Sequence, residues 1–163
     1  MDPSFVHLRI HSEYSIVDGL VRIPALMDKA VDLNMPAVAL TDFSNLFALV
    51  KFYRAAMAKG IKPIIGADVL VSDPQYQEQF RIILLCMNNE GYRNLTELLT
   101  RAYVDGQHGG LPTLKREWIF ESNSGLIVLS GGRDGDLGNL LIKQDKPRSI
   151  VCMAVWQENF GIS

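Results

Sequence analysis

Cysteine is scarce in this chain: two residues, Cys86 and Cys152, in 163. Each sits inside an apolar run, 82–87 and 150–156, and no CxxC spacing occurs. A disulfide framework and a cysteine-built zinc site are therefore excluded, and both thiols are read as buried and reduced, as in a cytoplasmic protein. Excess basic charge is lacking too. Lysine and arginine number 16 against 18 acidic residues, for a net charge of -2 and a pI near 5.9. A free-standing nucleic-acid binder usually carries a basic stripe, so that class fits poorly. No apolar run approaches the ~20 residues of a membrane span. Met1-Asp2-Pro3-Ser4 has no basic segment leading into an apolar one, so neither a signal peptide nor a membrane partner is expected. Internal repeats and low-complexity tracts are absent.

What is present is a 48% hydrophobic composition, enough for one domain with a sizeable core. Apolar runs read as strands at 5–11, 37–41, 61–71 (interrupted at Gly66-Ala67-Asp68), 81–87 and 125–130. Between them lie helical patterns at 23–33, 46–58, 92–104, a short piece at 115–120, then 137–143 and 149–159. Ile23, Leu26, Met27, Ala30 and Val31 form one stripe, with Pro24 suited to a first turn and Asn34 and Pro36 to a stop. Tyr92, Leu95, Leu98 and Leu99 read as core. The stretch 105–112 reads as a Gly-rich loop, and His108 within it as an exposed histidine with no special role. Strands alternating with helices predict an α/β fold with a parallel sheet. Five strands fall short of a closed barrel, which takes ~250 residues. Polar residues gather just after strands, at 9–18, 42–45, 68 and 130–136, where α/β folds place their sites.

The most informative stretch is 5–19. Val6, Leu8 and Ile10 alternate with His7, Arg9 and His11, so the three polar side chains are expected on one strand face. Asp18-Gly19 follows as a turn. Imidazoles near a carboxylate are common ligands of a divalent metal. Arg9 stands between them, and at an effective dielectric of 20 a unit charge ~4 Å from a divalent ion is repelled by roughly 8 kcal/mol. A guanidinium that takes the metal's place and neutralises nearby carboxylates, Asp18 on this stretch and Asp68 as a candidate after a later strand, fits better than a metal.

Five stretches, in order, resemble the PHP (polymerase and histidinol phosphatase) domain. They are His7-Leu8-Arg9-Ile10-His11-Ser12 with Tyr14-Ser15-Ile16-Val17-Asp18-Gly19; Ala39-Leu40-Thr41-Asp42; Lys62-Pro63-Ile64-Ile65-Gly66-Ala67-Asp68; Asn88-Asn89-Glu90-Gly91-Tyr92-Arg93-Asn94-Leu95; and Gly125-Leu126-Ile127-Val128-Leu129-Ser130-Gly131. More narrowly, they resemble the PHP domain at the N-terminus of bacterial C-family replicative DNA polymerases. The resemblance implies a distorted (β/α) barrel, incomplete in this chain, with residues 1–163 as the N-terminal portion of the domain and the later strands and polymerase core outside it.

Active members of the family hold up to three metals on His, Asp, Glu and Cys side chains and cleave phosphoesters. The resemblance places Arg9 where the first metal histidine stands, retains His11 and Asp18, and puts Phe43 in place of the histidine of a Thr-Asp-His motif. Asp68 replaces a bridging glutamate, Arg81 a histidine, and Gly132 the ligand after Ser130-Gly131. The last ligand motif would lie beyond residue 163. Only His11, Asp18 and Asp68 remain as donors, so the implied site is vestigial and no cofactor is expected. The resemblance further implies a scaffold that docks the proofreading exonuclease subunit and the rest of the polymerase core. DNA would be contacted through the parent polymerase, a nucleotidyltransferase whose palm carboxylates are not in this segment. The rival expectation is an active metal-dependent phosphoesterase or 3'-5' exonuclease.

Three other features were open to a chemical role. Asp42 reads as a cap of the following helix or as part of a ligand shell, the cap being favoured. Gly131-Gly132-Arg133-Asp134-Gly135-Asp136 lacks the Gly-Lys-Ser/Thr ending of a phosphate-binding loop and reads as a strand-to-helix turn. Trp118, Ile119 and Phe120 read as core or as partner surface, and Trp118, Phe120 and Tyr103 as candidate docking anchors.

Overall fold

The structure is a computed structural model, and it describes residues 5–16, 18–74 and 79–161. The chain divides into two compact units, Met1–Asp68 and Val69–Ser163.

The first unit contains helix α1 (Ile23–Asp32), strand β1 (Ala37–Leu40), helix α2 (Leu49–Ala58) and the first part of strand β2 (Lys62–Ser72). Pro24 occupies the first turn of α1, where its missing N–H costs nothing. Ile23, Met27 and Ala30 line the buried face, while Leu26 is half-buried and Val31 is exposed, so the stripe is narrower than its spacing suggested. β1 pairs in parallel with β2, Ala37 opposite Lys62 through Leu40 opposite Ile65. Val38, Leu40, Phe52, Ala56 and Ile61 close the core against α1.

The stretch 5–11 is not a strand. Ala39 N–H donates to the His7 carbonyl at 2.8 Å and Thr41 N–H to that of Ile10 at 2.9 Å. The acceptors are three residues apart and the donors two, so the segment bulges at Leu8-Arg9 and no regular ladder forms. Leu8 is consequently exposed instead of buried, and His7, Arg9 and His11 do not share one face. His7 lies edge-on to Phe5, with ring centroids 4.7 Å apart, while Arg9 and His11 turn to Asp68.

β2 also corrects an expectation: it is unbroken through Gly66-Ala67-Asp68, all three buried. A glycine beside a carboxylate reads as a break in sequence, but here the carboxylate is internally paired.

In the second unit the strand order is β4-β5-β2-β3-β6, with β3 Phe80–Cys86, β4 Gln107–His108, β5 Leu111–Lys115 and β6 Leu126–Leu129. β4 and β6 end the order and do not pair with each other among the described residues, so the sheet is not closed. β5 runs parallel to β2, but β6 is antiparallel to β3, Ile83 opposite Leu129, and β4 is antiparallel to β5. The sheet is therefore mixed and not purely parallel. A four-residue apolar run has the same side-chain pattern in either direction, so its direction was not legible. The supposed loop 105–112 is a hairpin: Gly109 and Gly110, at φ 59 and 80, form its two-residue turn, as a type I′ geometry demands.

Helix α3 (Asn89–Val104) starts at Asn88, whose side chain accepts from Gly91 N–H at 2.9 Å. It buries Leu95, Leu98, Leu99 and Ala102, whereas Tyr92 is exposed. Helices α4 (Arg116–Glu121), α5 (Asp136–Ile142) and α6 (Lys146–Phe160) complete the unit. None of the described helices is long and apolar enough to cross a membrane.

Candidate functional site

A polar cluster of the first unit joins described residues of the segment 9–18 to the loop after β1 and to β2. Gly19 brings this segment back on itself: a Cβ there would lie 1.7 Å from the Ser12 carbonyl oxygen, so only glycine fits. The return is held by Glu13 N–H donating to the Val21 carbonyl at 2.9 Å.

Arg9 donates to one oxygen of Asp68, Oδ2, from Nε at 2.9 Å and from Nη2 at 2.5 Å. His11 Nε2 lies 3.0 Å from the same oxygen, and His11 Nδ1 lies 3.0 Å from Asp18 Oδ2. Ser15 Oγ donates to Asp18 Oδ1 at 2.7 Å and accepts from Phe43 N–H at 3.0 Å. Asp68 is fully buried, while the Arg9 side chain is 37% exposed. Both imidazole nitrogens thus face carboxylates. The hydrogen bond to Asp68 raises the His11 pKa above its ordinary value; burial opposes this and the charge of Asp18 adds to it. Arg9 and, when protonated, His11 set positive charge against the carboxylates of Asp18 and Asp68.

Asp42 is not a helix cap. Its carboxylate is buried and accepts from Ser12 N–H at 2.5 Å and Ser12 Oγ at 2.8 Å, and α2 begins without any side-chain cap. Burial raises the pKa of Asp42, and the bonds from Ser12 partly offset that rise. Phe43 is bridged to Asp68 through the backbone. Arg9, His11, Asp18, Phe43 and Asp68 therefore come together in the first unit. Arg81 and Gly132 belong to the second: Arg81 is half-buried on β3, and Gly132, at φ 62, opens the exposed turn Gly132–Asp134 before α5. Among the described residues, no group of three or more His, Cys, Asp or Glu side chains is arranged to hold a metal ion.

The second unit contains a charged cluster that the sequence reading missed. Arg116, on α4, pairs with Asp73 at 3.1 Å and with Asp136. Asp136 Oδ2 also accepts from Trp156 Nε1 at 2.7 Å and from the Cys152 thiol at 3.2 Å. Arg116, Asp136 and Cys152 are buried. No local pattern announces such a cluster; the one available signal was an arginine opening a short helix that carries Trp118, Ile119 and Phe120. Cys152 is a free buried thiol, as expected, but Cys86 is only half-buried, with burial pushing its thiol to about 11. His108 is exposed. Of the candidate anchors, Trp118 is buried beneath Arg101 and Lys115, Phe120 packs edge-on to Trp156, and Tyr103 is exposed.

The sequence profile of the PHP domain matches residues 7–162. The chain is 48% identical over 161 residues to the DNA polymerase III subunit alpha of Pseudomonas fluorescens, and 48% identical over 160 residues to that of Escherichia coli (strain K12). Each alignment covers 98% of this chain, which spans 14% of the length of these curated relatives. Among solved structures, an amidohydrolase from Chromobacterium violaceum, with bound sulfate and no metal, matches at a TM-score of 0.45 and 24% identity, over 61% of this chain and 36% of that one.

Proposed function

We propose, from the premise that this chain belongs to the PHP domain family, that it serves as the PHP domain of a bacterial replicative DNA polymerase III alpha subunit. In this reading it is a non-catalytic scaffold in a cytoplasmic assembly. It docks the proofreading exonuclease subunit and the rest of the polymerase III core, and DNA is reached through the parent polymerase alone. The 48% identity to alpha subunits over nearly the whole chain supports the parentage.

The observation that carries the scaffold role is the Arg9–Asp68 contact. The remaining donors His11, Asp18 and Asp68 do not fit a divalent cation. A guanidinium holds the Asp68 oxygen that a metal would need, and His11 spends both ring nitrogens on carboxylates. Phe43, Arg81 and Gly132 add no ligand in the places where the family carries one.

Two measurements test the proposal. Elemental analysis of the purified chain should find no stoichiometric zinc, manganese or iron, and calorimetric titration should show the exonuclease subunit binding to the chain. One or more metals per chain, with phosphoester hydrolysis that EDTA abolishes, would replace the scaffold reading with that of an active phosphoesterase.

A further inference from the structure

Helix α2 is apolar on two faces. Phe52 and Ala56 are fully buried in the core. Val50, Tyr53 and Met57, at i, i+3 and i+7, form a separate outward stripe that stays 58%, 48% and 56% exposed, and Phe47 just ahead of the helix is 65% exposed. A solvated helix face carries charge at such positions, so a row of large apolar side chains there marks a surface suited to being covered.

The charge that α2 and its C-terminal flank carry in sequence has one sign, although two of the lysines meet carboxylates from elsewhere in the first unit. Between Asp42 and Asp68 the chain has no Asp or Glu, but carries Lys51, Arg54, Lys59 and Lys62. Lys51 reaches Glu13 at 3.6 Å and Lys59 reaches Asp28 at 3.0 Å. Arg54, one turn after Val50 and one residue past Tyr53, is exposed and pairs with no carboxylate among the described residues. A second copy of the chain docking through α2 about a two-fold axis would bring Arg54 up to a second Arg54 with no carboxylate of its own among the described residues, which argues against a self-pairing surface. A partner with acidic flanks has the complementary charge.

We infer that the outward face of α2, with Phe47, Val50, Tyr53 and Met57 as anchors and Arg54 at its shoulder, docks an amphipathic protein segment whose apolar residues are flanked by Asp or Glu. The inference rests on the scaffold reading and names the surface that serves it. Trp118, which the sequence offered as an anchor, is buried in the second unit and cannot play that part without unfolding α4.

The test uses the full chain and two kinds of probe. One is the purified proofreading exonuclease subunit. The other is a synthetic helical peptide with leucines at i, i+3, i+4 and i+7 and flanking glutamates, together with a twin carrying lysines instead. The glutamate peptide should bind, more weakly as salt rises, with amide shifts centred on α2, and the lysine twin should bind at least about tenfold more weakly. Val50→Glu and Arg54→Glu should each weaken both the glutamate peptide and the subunit by about tenfold or more. Their circular dichroism and melting should match the parent, because both positions face solvent.

If the subunit binds and ignores both substitutions, the α2 inference falls and the scaffold reading survives. If the glutamate peptide binds at α2 and the subunit does not bind at all, the surface stands and the choice of exonuclease as partner falls. If neither probe binds, the inference is overturned.

Discussion

One oxygen of Asp68 is shared by Arg9 and His11: Arg9 Nε lies 2.9 Å and His11 Nε2 lies 3.0 Å from the same Oδ2. Asp68 is fully buried, and Arg9 and His11 both meet its carboxylate there. The cluster also ties the irregular segment 9–18 to β2, which no ladder does.

Arg9→Ala should therefore destabilise the chain. Removing one partner of a fully buried pair costs ~3–5 kcal/mol. Arg9 is partly solvated and His11 remains, so a loss of about 2 kcal/mol is expected, or ~4–8 °C in melting temperature for a chain of this size. Thermal unfolding followed by circular dichroism measures it. A melting temperature equal to that of the parent would mean that the pair contributes nothing.

The pH dependence follows from His11. Its folded pKa is raised, so its stabilising contribution is fully present below its unfolded value of about 6.5 and is lost as pH rises through the higher folded value. Asp42, raised by burial, acts with the same sign at lower pH: stability falls as pH climbs above its ordinary value near 3.8. Urea melts between about pH 5.5 and 8.5 should show declining stability, and His11→Gln should flatten that slope. A slope that survives His11→Gln would assign the effect to another group.

Arg9→His tests the metal argument from the opposite side. It removes the cation and adds an imidazole beside His11, Asp18 and Asp68. Zinc affinity, measured by competition with a chromophoric chelator, should rise at least about tenfold over the parent. Equal affinity in the two proteins would show that Arg9 is not what keeps a metal out.

In the second unit, Arg116→Ala strands Asp136 against Trp156 and Cys152. A loss of ~3–5 kcal/mol is expected for this more buried pair, about 10 °C in melting temperature, and thus more than for Arg9→Ala. Comparing the two melting curves decides the order.

β6 ends the strand order and adjoins an apolar groove of about 400 Å³ whose lining includes Met87, Ile127, Met153, Trp156 and Phe160. A strand at the end of the order, with apolar neighbours, invites pairing with another chain. The 163-residue chain should self-associate with rising concentration in sedimentation runs, and Ile127→Lys should shift it toward monomer. A parent chain that stays monomeric throughout would show that this edge is already protected.

The sequence alone determined which segments bury an apolar face and which side chains could meet a charge. The helical patterns at 23–33 and 92–104 and the apolar runs at 37–41, 61–71, 81–87 and 125–130 were legible, because periodicity records burial directly, whereas Asp68 joined Arg9, His11 and Asp18 through the family resemblance. Tertiary structure decided the rest. It set β6 antiparallel, bulged the chain at Leu8-Arg9, sent Asp42 to Ser12 instead of a helix end, and gathered Arg116, Asp136, Cys152 and Trp156 from well-separated stretches. The physical reason is common to all four. A side chain's periodicity says whether it faces the core, but its partner and the direction of its strand are set by contacts across tens of residues, which no local pattern encodes.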